Sequence, residues 1–468
     1  METTTELPIT TRTERDSLGE REVAADALFG IHTVRSRENF DVARTGLDIE
    51  IIYGIVKLKW ACVLANRDLN MLPPEKVQAI AAACEEVLTG AHDDSLYIDV
   101  FQAGSGTSTN MNINEVVGNL ACIKLGGKPG DRHLVHPNDD VNKGQSTNNI
   151  FPSGIKVAAV ERAHLVQEAM RELQAGLHNK EHEFADVIKS GRTHLQDAVP
   201  ITLGMELGAY AHALEKANLR IEDARQHCMA LGVGGNAVGT GINTTVDFRR
   251  RIVDHLNSIT GEKYHVAANG IEITQFLTDI GEMGGALKFL ALDLLKICND
   301  LRLLSSGPNT GIGEIQLPAV EPGSSIMPGK VNPSICEAAN MACIQVLGYE
   351  AAIAMACGMG QLELNTHMPL VGHNVMRSIR LLRRTCFMVA RKCVSGIVAN
   401  REVCKENFER SAGLATVLNP TLGYDAVAEL VKESLRTGKN LRQLVLEKDI
   451  MDEEHLDFLL SKSIGPTL

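Results

Sequence analysis

The feature that most constrains this chain is one long apolar stripe. Phe276, Ile280, Met283, Leu287, Leu290, Leu294, Ile297, Leu301 and Leu304 succeed one another at alternating steps of four and three, which places them all on one face of a helix. A rod over that span is roughly 40 Å long at 1.5 Å per residue. A sustained spacing near 3.5 belongs to helices packed as in coiled coils, so the stripe predicts a bundle rather than a surface helix on a sheet. Val166, Met170, Leu173, Leu177, Phe184 and Ile188 repeat the pattern. Further helices are expected from about 202 to 229 and from about 334 to 356, the latter opening after Pro333.

These segments predict a mainly α chain in three domains. An N-terminal domain, 1–145, is mixed and dense in Gly, Asn and Pro; a central helical bundle spans 146–402; a small helical domain occupies 403–468. Rods of this length present more apolar surface than one chain covers, which predicts association of subunits through the bundle. A length of 468 residues is too much for one ordinary core, in keeping with that division.

Charge narrows the partners. With 46 Lys and Arg against 58 Asp and Glu, the net charge is −12, which argues against a general binder of nucleic acid or anionic membrane. It leaves room for one small anion, because a single lysine in a cleft outweighs a diffuse surface field. Eleven cysteines lie between Cys62 and Cys404 with no CxxC spacing, the pattern of reduced thiols rather than of disulfides or a zinc site. The start, METTTELPITTRTERD, has no apolar core for a secretion signal, and no run approaches the ~18 uninterrupted apolar residues of a membrane span. A cytoplasmic protein is expected.

Four loops concentrate small hydroxyl and amide side chains: GSGTSTNMNINE at 104–115, HPNDDVNKGQSTNNIFPSG at 136–154, SGRTHLQDAVP at 190–200 and EPGSSIMPGKVNPS at 321–334. Singly, each reads as turn and cap chemistry; Ser146, Thr147 and Asn148 would cap a helix starting near Phe151. Together, at the ends of long helices, they can converge on one cleft where hydroxyls, amides, helix N-termini, a lysine and a histidine bind carboxylates. There is no phosphate loop, and the Gly-rich GVGGNAVGTG at 232–241 follows a helical stretch rather than a strand, so no nucleotide site is expected. Neither a cofactor nor a metal is expected. Such a site suits proton abstraction beside a carboxylate with loss of a β-substituent, since placed donors stabilise the dianion that develops.

GSSIMPGKVNP at 323–333 resembles the signature of the aspartase/fumarase superfamily, and the resemblance covers nearly the whole chain: LGEREVAADALFGIHTVRSRENF, GSGTSTNMNINE, HPNDDVNKGQSTN, GRTHLQDAVP, GTGINT, KICNDLRLLSSGP and GQLELN. It implies a homotetramer with a long-helix core and active sites shared between subunits, acting on a C4 dicarboxylate. The resemblance makes Ser324 the base that takes the Cβ proton, with Ser325 beside the carboxylate that becomes the enediolate. Lys330 and Asn332, assisted by Thr193, match positions that hold the α-carboxylate. Thr107, Ser146 and Thr147 match the β-carboxylate pocket; Asn148 and His194 match positions near the leaving group. Most diagnostic segments look like aspartate ammonia-lyases, whereas NPSICEA at 332–338 and TGIGEI at 310–315 look like class II fumarases. A lyase for a substituted aspartate and a non-catalytic tetramer are the other readings. Asn149 stands where both groups usually carry Asp, and His367-Met368-Pro369 stands where aspartases usually have Met-Glu-Pro and fumarases Phe-Arg-Pro.

Overall fold

The computed structural model describes residues 10–323, 326–327, 329–411 and 413–463. Ser324 and Ser325 lie outside the described residues. A short antiparallel hairpin, β1 (Thr11–Asp16) and β2 (Gly19–Ala24), leads into α1 (Ile31–Asn39), α2 (Ile49–Asp68), α3 (Pro74–Leu88) and α4 (Thr107–Lys124). There follow α5 (Thr147–Glu183), the hairpin β3 (Ile188–Thr193) and β4 (Gln196–Thr202), and α6 (Leu203–His227). Next come β5 (Ala230–Leu231), α7 (Val246–Thr260), β6 (His265–Val266), α8 (Gly270–Gln275), α9 (Thr278–Leu304) and β7 (Ile315–Gln316). The chain continues through α10 (Ser334–Cys357), α11 (Met368–Lys392) and β8 (Val398–Ala399), and ends in α12 (Arg401–Arg410), α13 (Gly413–Leu422), α14 (Tyr424–Thr437), α15 (Leu441–Glu447) and α16 (Glu453–Ser463).

The fold is mainly α, as its apolar periodicity requires. On α9, Ile280, Met283, Leu287, Leu290, Leu294, Ile297, Leu301 and Leu304 are all buried. Phe276 is not on this helix: it closes α8 in an extended conformation and is 52% exposed. The second stripe also ends early. α5 stops at Glu183, and Ile188 belongs to β3. The N-terminal region, for all its Gly, Asn and Pro, is built largely from four helices: most of its glycines lie in turns and loops, while Asn110, Asn112, Asn114 and Asn119 are carried inside α4.

Contacts divide the chain into two compact units, each assembled from three segments. The first takes 1–165, 220–288 and 345–380; the second takes 166–219, 289–344 and 381–468. Each of the five long helices α5, α6, α9, α10 and α11 contributes residues to both. In the first unit α2 packs against α3 and α7, and α3 against α4. In the second, the C-terminal helices close around Phe408, Leu414, Leu418, Leu444, Val445 and Leu456. Among the described residues α10 is the one helix long and apolar enough to cross a membrane by length and composition, yet only 22% of its most apolar window is buried. Glu337, Asn340, Gln345 and Glu350 interrupt its apolar run.

Candidate active site

The candidate residues divide between the units. Thr107, Ser146, Thr147 and Asn148 fall in the first, and Thr193, His194, Lys330 and Asn332 in the second.

In the first unit the site is built on two helix starts. α4 begins at Thr107 behind Gly104-Ser105-Gly106, where Ser105 and Gly106 both have positive φ, 63° and 81°. A Cβ on Gly106 would lie 2.2 Å from the Phe151 ring of α5, so only glycine lets the start of α4 seat there. Ser105 has no such licence, and a left-handed non-glycine costs roughly 1–2 kcal/mol. Its N–H donates to the Thr366 carbonyl at 3.0 Å, and its hydroxyl lies 3.3 Å from that of Thr107. Strain of this kind collects where geometry serves a site.

α5 starts at Thr147, four residues before the Phe151 expected from sequence. Ser146 does cap it: the Ser146 carbonyl accepts from Ile150 N–H at 3.0 Å and its hydroxyl from Asn148 N–H at 3.4 Å. Asn110, one turn into α4, donates from Nδ2 to Thr147 Oγ1 at 3.0 Å. The first turns of the two helices, each with its positive dipole end, are thereby tied together, an arrangement suited to a carboxylate.

The glycine-rich 232–241 segment, which the sequence left without a role, braces this corner. Asn148 Nδ2 donates to the Ala237 carbonyl and Asn149 Nδ2 to the Asn236 carbonyl, each at 2.8 Å. The second bond needs an amide. A carboxylate at 149 has no proton to give to a carbonyl, so Asn149 fits its own surroundings. His367, the other departure, adjoins Thr366, the anchor of Ser105; its Nδ1 is buried with no hydrogen-bond partner among the described residues.

Sequence reasoning missed Lys59. It is fully buried on α2 and donates to Asn142 Oδ1 and Gln145 Oε1, both at 3.2 Å. Asn142 Oδ1 also accepts from Asn110 at 3.4 Å, so Lys59, Asn142, Asn110 and Thr147 form one polar chain ending at the candidate pocket. Burial lowers the Lys59 ammonium to about 7, with the Cys62 and Cys84 thiols opposing. The signal available was two lysines, Lys57 and Lys59, inside the otherwise apolar run from Ile51 to Leu64, without a mark of which is buried.

In the second unit Thr193 and His194 sit at a hairpin tip, not at a helix end. Thr193 pairs with Gln196 across a two-residue turn in which His194 (φ 54°) and Leu195 (φ 59°) are both left-handed. The usual occupants of such a turn are Asn-Gly. The hairpin is moored below its tip: Glu314, with no exposure, pairs with Arg192 at 2.7 Å and Lys189 at 2.9 Å. Burial alone would push the Glu314 carboxyl up, but hydrogen bonds from Arg192 and the nearby Lys189 outweigh it and hold the carboxyl below its ordinary value.

Lys330 and Asn332 lie on the returning leg of the fourth loop. The Gly323 N–H donates to the Lys330 carbonyl at 3.1 Å, and Asn332 Nδ2 donates back to the Gly323 carbonyl at 2.8 Å. The legs come so close that a Cβ on Gly323 would lie 2.2 Å from that Lys330 oxygen. Lys330 is exposed and Asn332 half-buried.

Hydroxyls, amides, two helix starts, an exposed lysine and an exposed imidazole are thus presented on scaffolds locked by close packing and buried ion pairs. A family model described as "Lyase" matches residues 19–348, and one described as "Fumarase C C-terminus" matches residues 414–463. An aspartate ammonia-lyase of Corynebacterium glutamicum is 43% identical over 454 residues, covering 96% of this chain and 86% of its own. A class II fumarate hydratase of Corynebacterium efficiens is 45% identical over 447 residues, covering 95% and 93%. A crystal structure of fumarate lyase:delta crystallin from Brucella melitensis bound to cobalt is similar with a TM-score of 0.94 at 43% identity, over 97% of this chain and 99% of that one.

Proposed function

Because the chain belongs to the aspartase/fumarase superfamily of lyases, we propose that it eliminates ammonia reversibly from L-aspartate to give fumarate. Ser324 takes the Cβ proton, leaving a dianionic aci-carboxylate, and collapse of that enediolate expels ammonia from Cα. The barrier lies in gathering two negative charges on one carboxylate, so donors fixed in advance carry the rate. Ser325 stands beside the carboxylate that becomes the enediolate, and Thr107, Ser146 and Thr147 form the β-carboxylate pocket. Lys330, Asn332 and Thr193 hold the α-carboxylate, while Asn148 and His194 face the leaving group. The observation that carries this reading is the pair of helix starts joined by the Asn110–Thr147 bond, whose positive dipole ends favour an anion.

The working form is a cytoplasmic homotetramer of three-domain chains whose active sites take residues from more than one subunit. In support, α10 exposes Met341, Ile344 and Met355.

A second reading, class II fumarate hydratase, is favoured by the NPSICEA and TGIGEI segments and by the Corynebacterium efficiens relative. Ultraviolet absorbance of fumarate, followed with purified protein on aspartate and on malate, separates the two. Turnover of aspartate is expected; malate turnover with none on aspartate reverses the assignment. Ser324→Ala is expected to abolish turnover with circular dichroism and assembly unchanged. Activity within a few-fold of the parent removes Ser324 from its role.

A further inference from the structure

Behind the fourth loop lies a group of thiols that the proposed lyase chemistry does not use. Cys336 sits in the first turn of α10, four residues after Asn332, and Cys393 directly follows α11. Their sulfurs are 3.7 Å apart and both residues are buried. A third buried thiol, Cys298 on α9, is near enough to Cys336 to act on its ionisation. Hydrogen bonds from Cys298 and then Cys393, with attraction to Arg302, hold the Cys336 thiol well below its ordinary range against the opposing effect of burial. A position at a helix N-terminus works in the same direction.

A cavity of about 10 Å³ reaches this pair, lined by Asn332, Pro333, Cys336 and Cys393 and, at its outer side, by Val320, which is 41% exposed. That volume is about what one water-sized molecule needs. Cys298 does not line it.

We propose that Cys336 and Cys393 are a peroxide-reactive dithiol whose oxidation staples the start of α10 to the end of α11. The Cys336 thiolate attacks one oxygen of hydrogen peroxide: an S–O bond forms, the O–O bond breaks, and the departing hydroxide is protonated to water. The Cys393 sulfur then attacks the sulfenic Cys336 sulfur. An S–S bond forms, the S–O bond breaks, and the hydroxide leaves as a second water with the Cys393 proton. Two thiols and one peroxide give one disulfide and two waters, a two-electron oxidation. An S–S bond is about 2.05 Å long, so the sulfurs must approach, and the first turn of α10 shifts. The Lys330–Pro333 leg is continuous with that turn, and its Asn332 ties the loop to Gly323. Oxidation therefore displaces the carboxylate-holding leg.

The thiol assignment is independent of the lyase reading; its effect on turnover rests on that reading. Reduced protein is treated with a few equivalents of hydrogen peroxide, alkylated and mapped without reduction. The expected result is a peptide pair joining Cys336 to Cys393, with two fewer alkylated thiols than the eleven of the reduced chain. Cys336 recovered alkylated, or joined to Cys298, overturns the proposal. Cys393→Ser is expected to stop at a sulfenic Cys336 that a dimedone-type reagent traps; failure to trap it also counts against. In the parent, oxidation is expected to lower turnover several-fold, with recovery on adding dithiothreitol, and Cys336→Ser is expected to resist. If the map shows the disulfide while neither aspartate nor malate is turned over, the dithiol stands and the lyase reading falls.

Discussion

At the scale of single residues, Lys59 makes the sharpest demand. Its ammonium has two amide oxygens for partners and no exposure, and burial brings it from an ordinary 10.5 to about 7. Between those values the unfolded chain binds a proton that the folded chain does not, so stability rises with pH across the window. Below it both states are protonated and the folded protein bears the full desolvation cost. Lys59→Met removes the titration, so denaturant unfolding is expected to show the parent gaining on the variant from about pH 7 to about pH 10.5. A difference that stays flat means that Lys59 does not titrate in the fold. The hydroxyl and amide clusters stood out in the sequence only when taken together, since each singly is ordinary turn and cap chemistry. Lys59 was not, since its partners lie more than eighty residues away and periodicity does not mark it off from Lys57, two residues earlier, which reaches Glu161 at 2.6 Å.

At the scale of elements, the β3–β4 hairpin carries its strain at the tip. His194 and Leu195 are both left-handed, and Leu195 is 70% exposed, so its side chain repays little of that cost by burial. Leu195→Gly is expected to raise stability by about 1 kcal/mol, measured by denaturant unfolding; no change, or a loss, means that the leucine is held by contacts in the assembled protein. This hairpin was hidden because GRTHLQ lacks the Asn-Gly pair that announces such turns. The helices were easy to read and their ends were not. Phe276 keeps the spacing of the α9 stripe although the backbone is extended there, because periodicity reports which face is apolar and is silent about where hydrogen bonding breaks. Pro333, by contrast, announced α10 correctly, since a proline fits best just before or within a first turn.

At the scale of the whole molecule, α10 exposes Met341 (67%), Ile344 (59%) and Met355 (75%), side chains that water accepts poorly when grouped along one helix. A second copy of the chain is their expected cover. Met341→Glu is expected to lower the molar mass measured by light scattering below that of the parent assembly, while the helical content of the separated chains persists. An unchanged mass places the subunit contact elsewhere. The bundle itself could be inferred from the stripes, whereas the division into two units could not. Its boundaries fall inside long helices, where composition does not change.

Those boundaries bear on how the protein is born. The first unit needs residues as late as Arg380, and the second begins at Val166 and needs the C-terminal helices. A ribosome that has finished residue 165 has therefore not finished a foldable half: the opening segments must wait through more than two hundred further residues for the strands of chain that complete them. Pairings that remote in sequence form slowly, and the waiting segments expose apolar faces such as those of α2 and α5 meanwhile. Synthesis of this protein is thus a long interval of incompleteness, which ends for the first unit only when Arg380 has emerged.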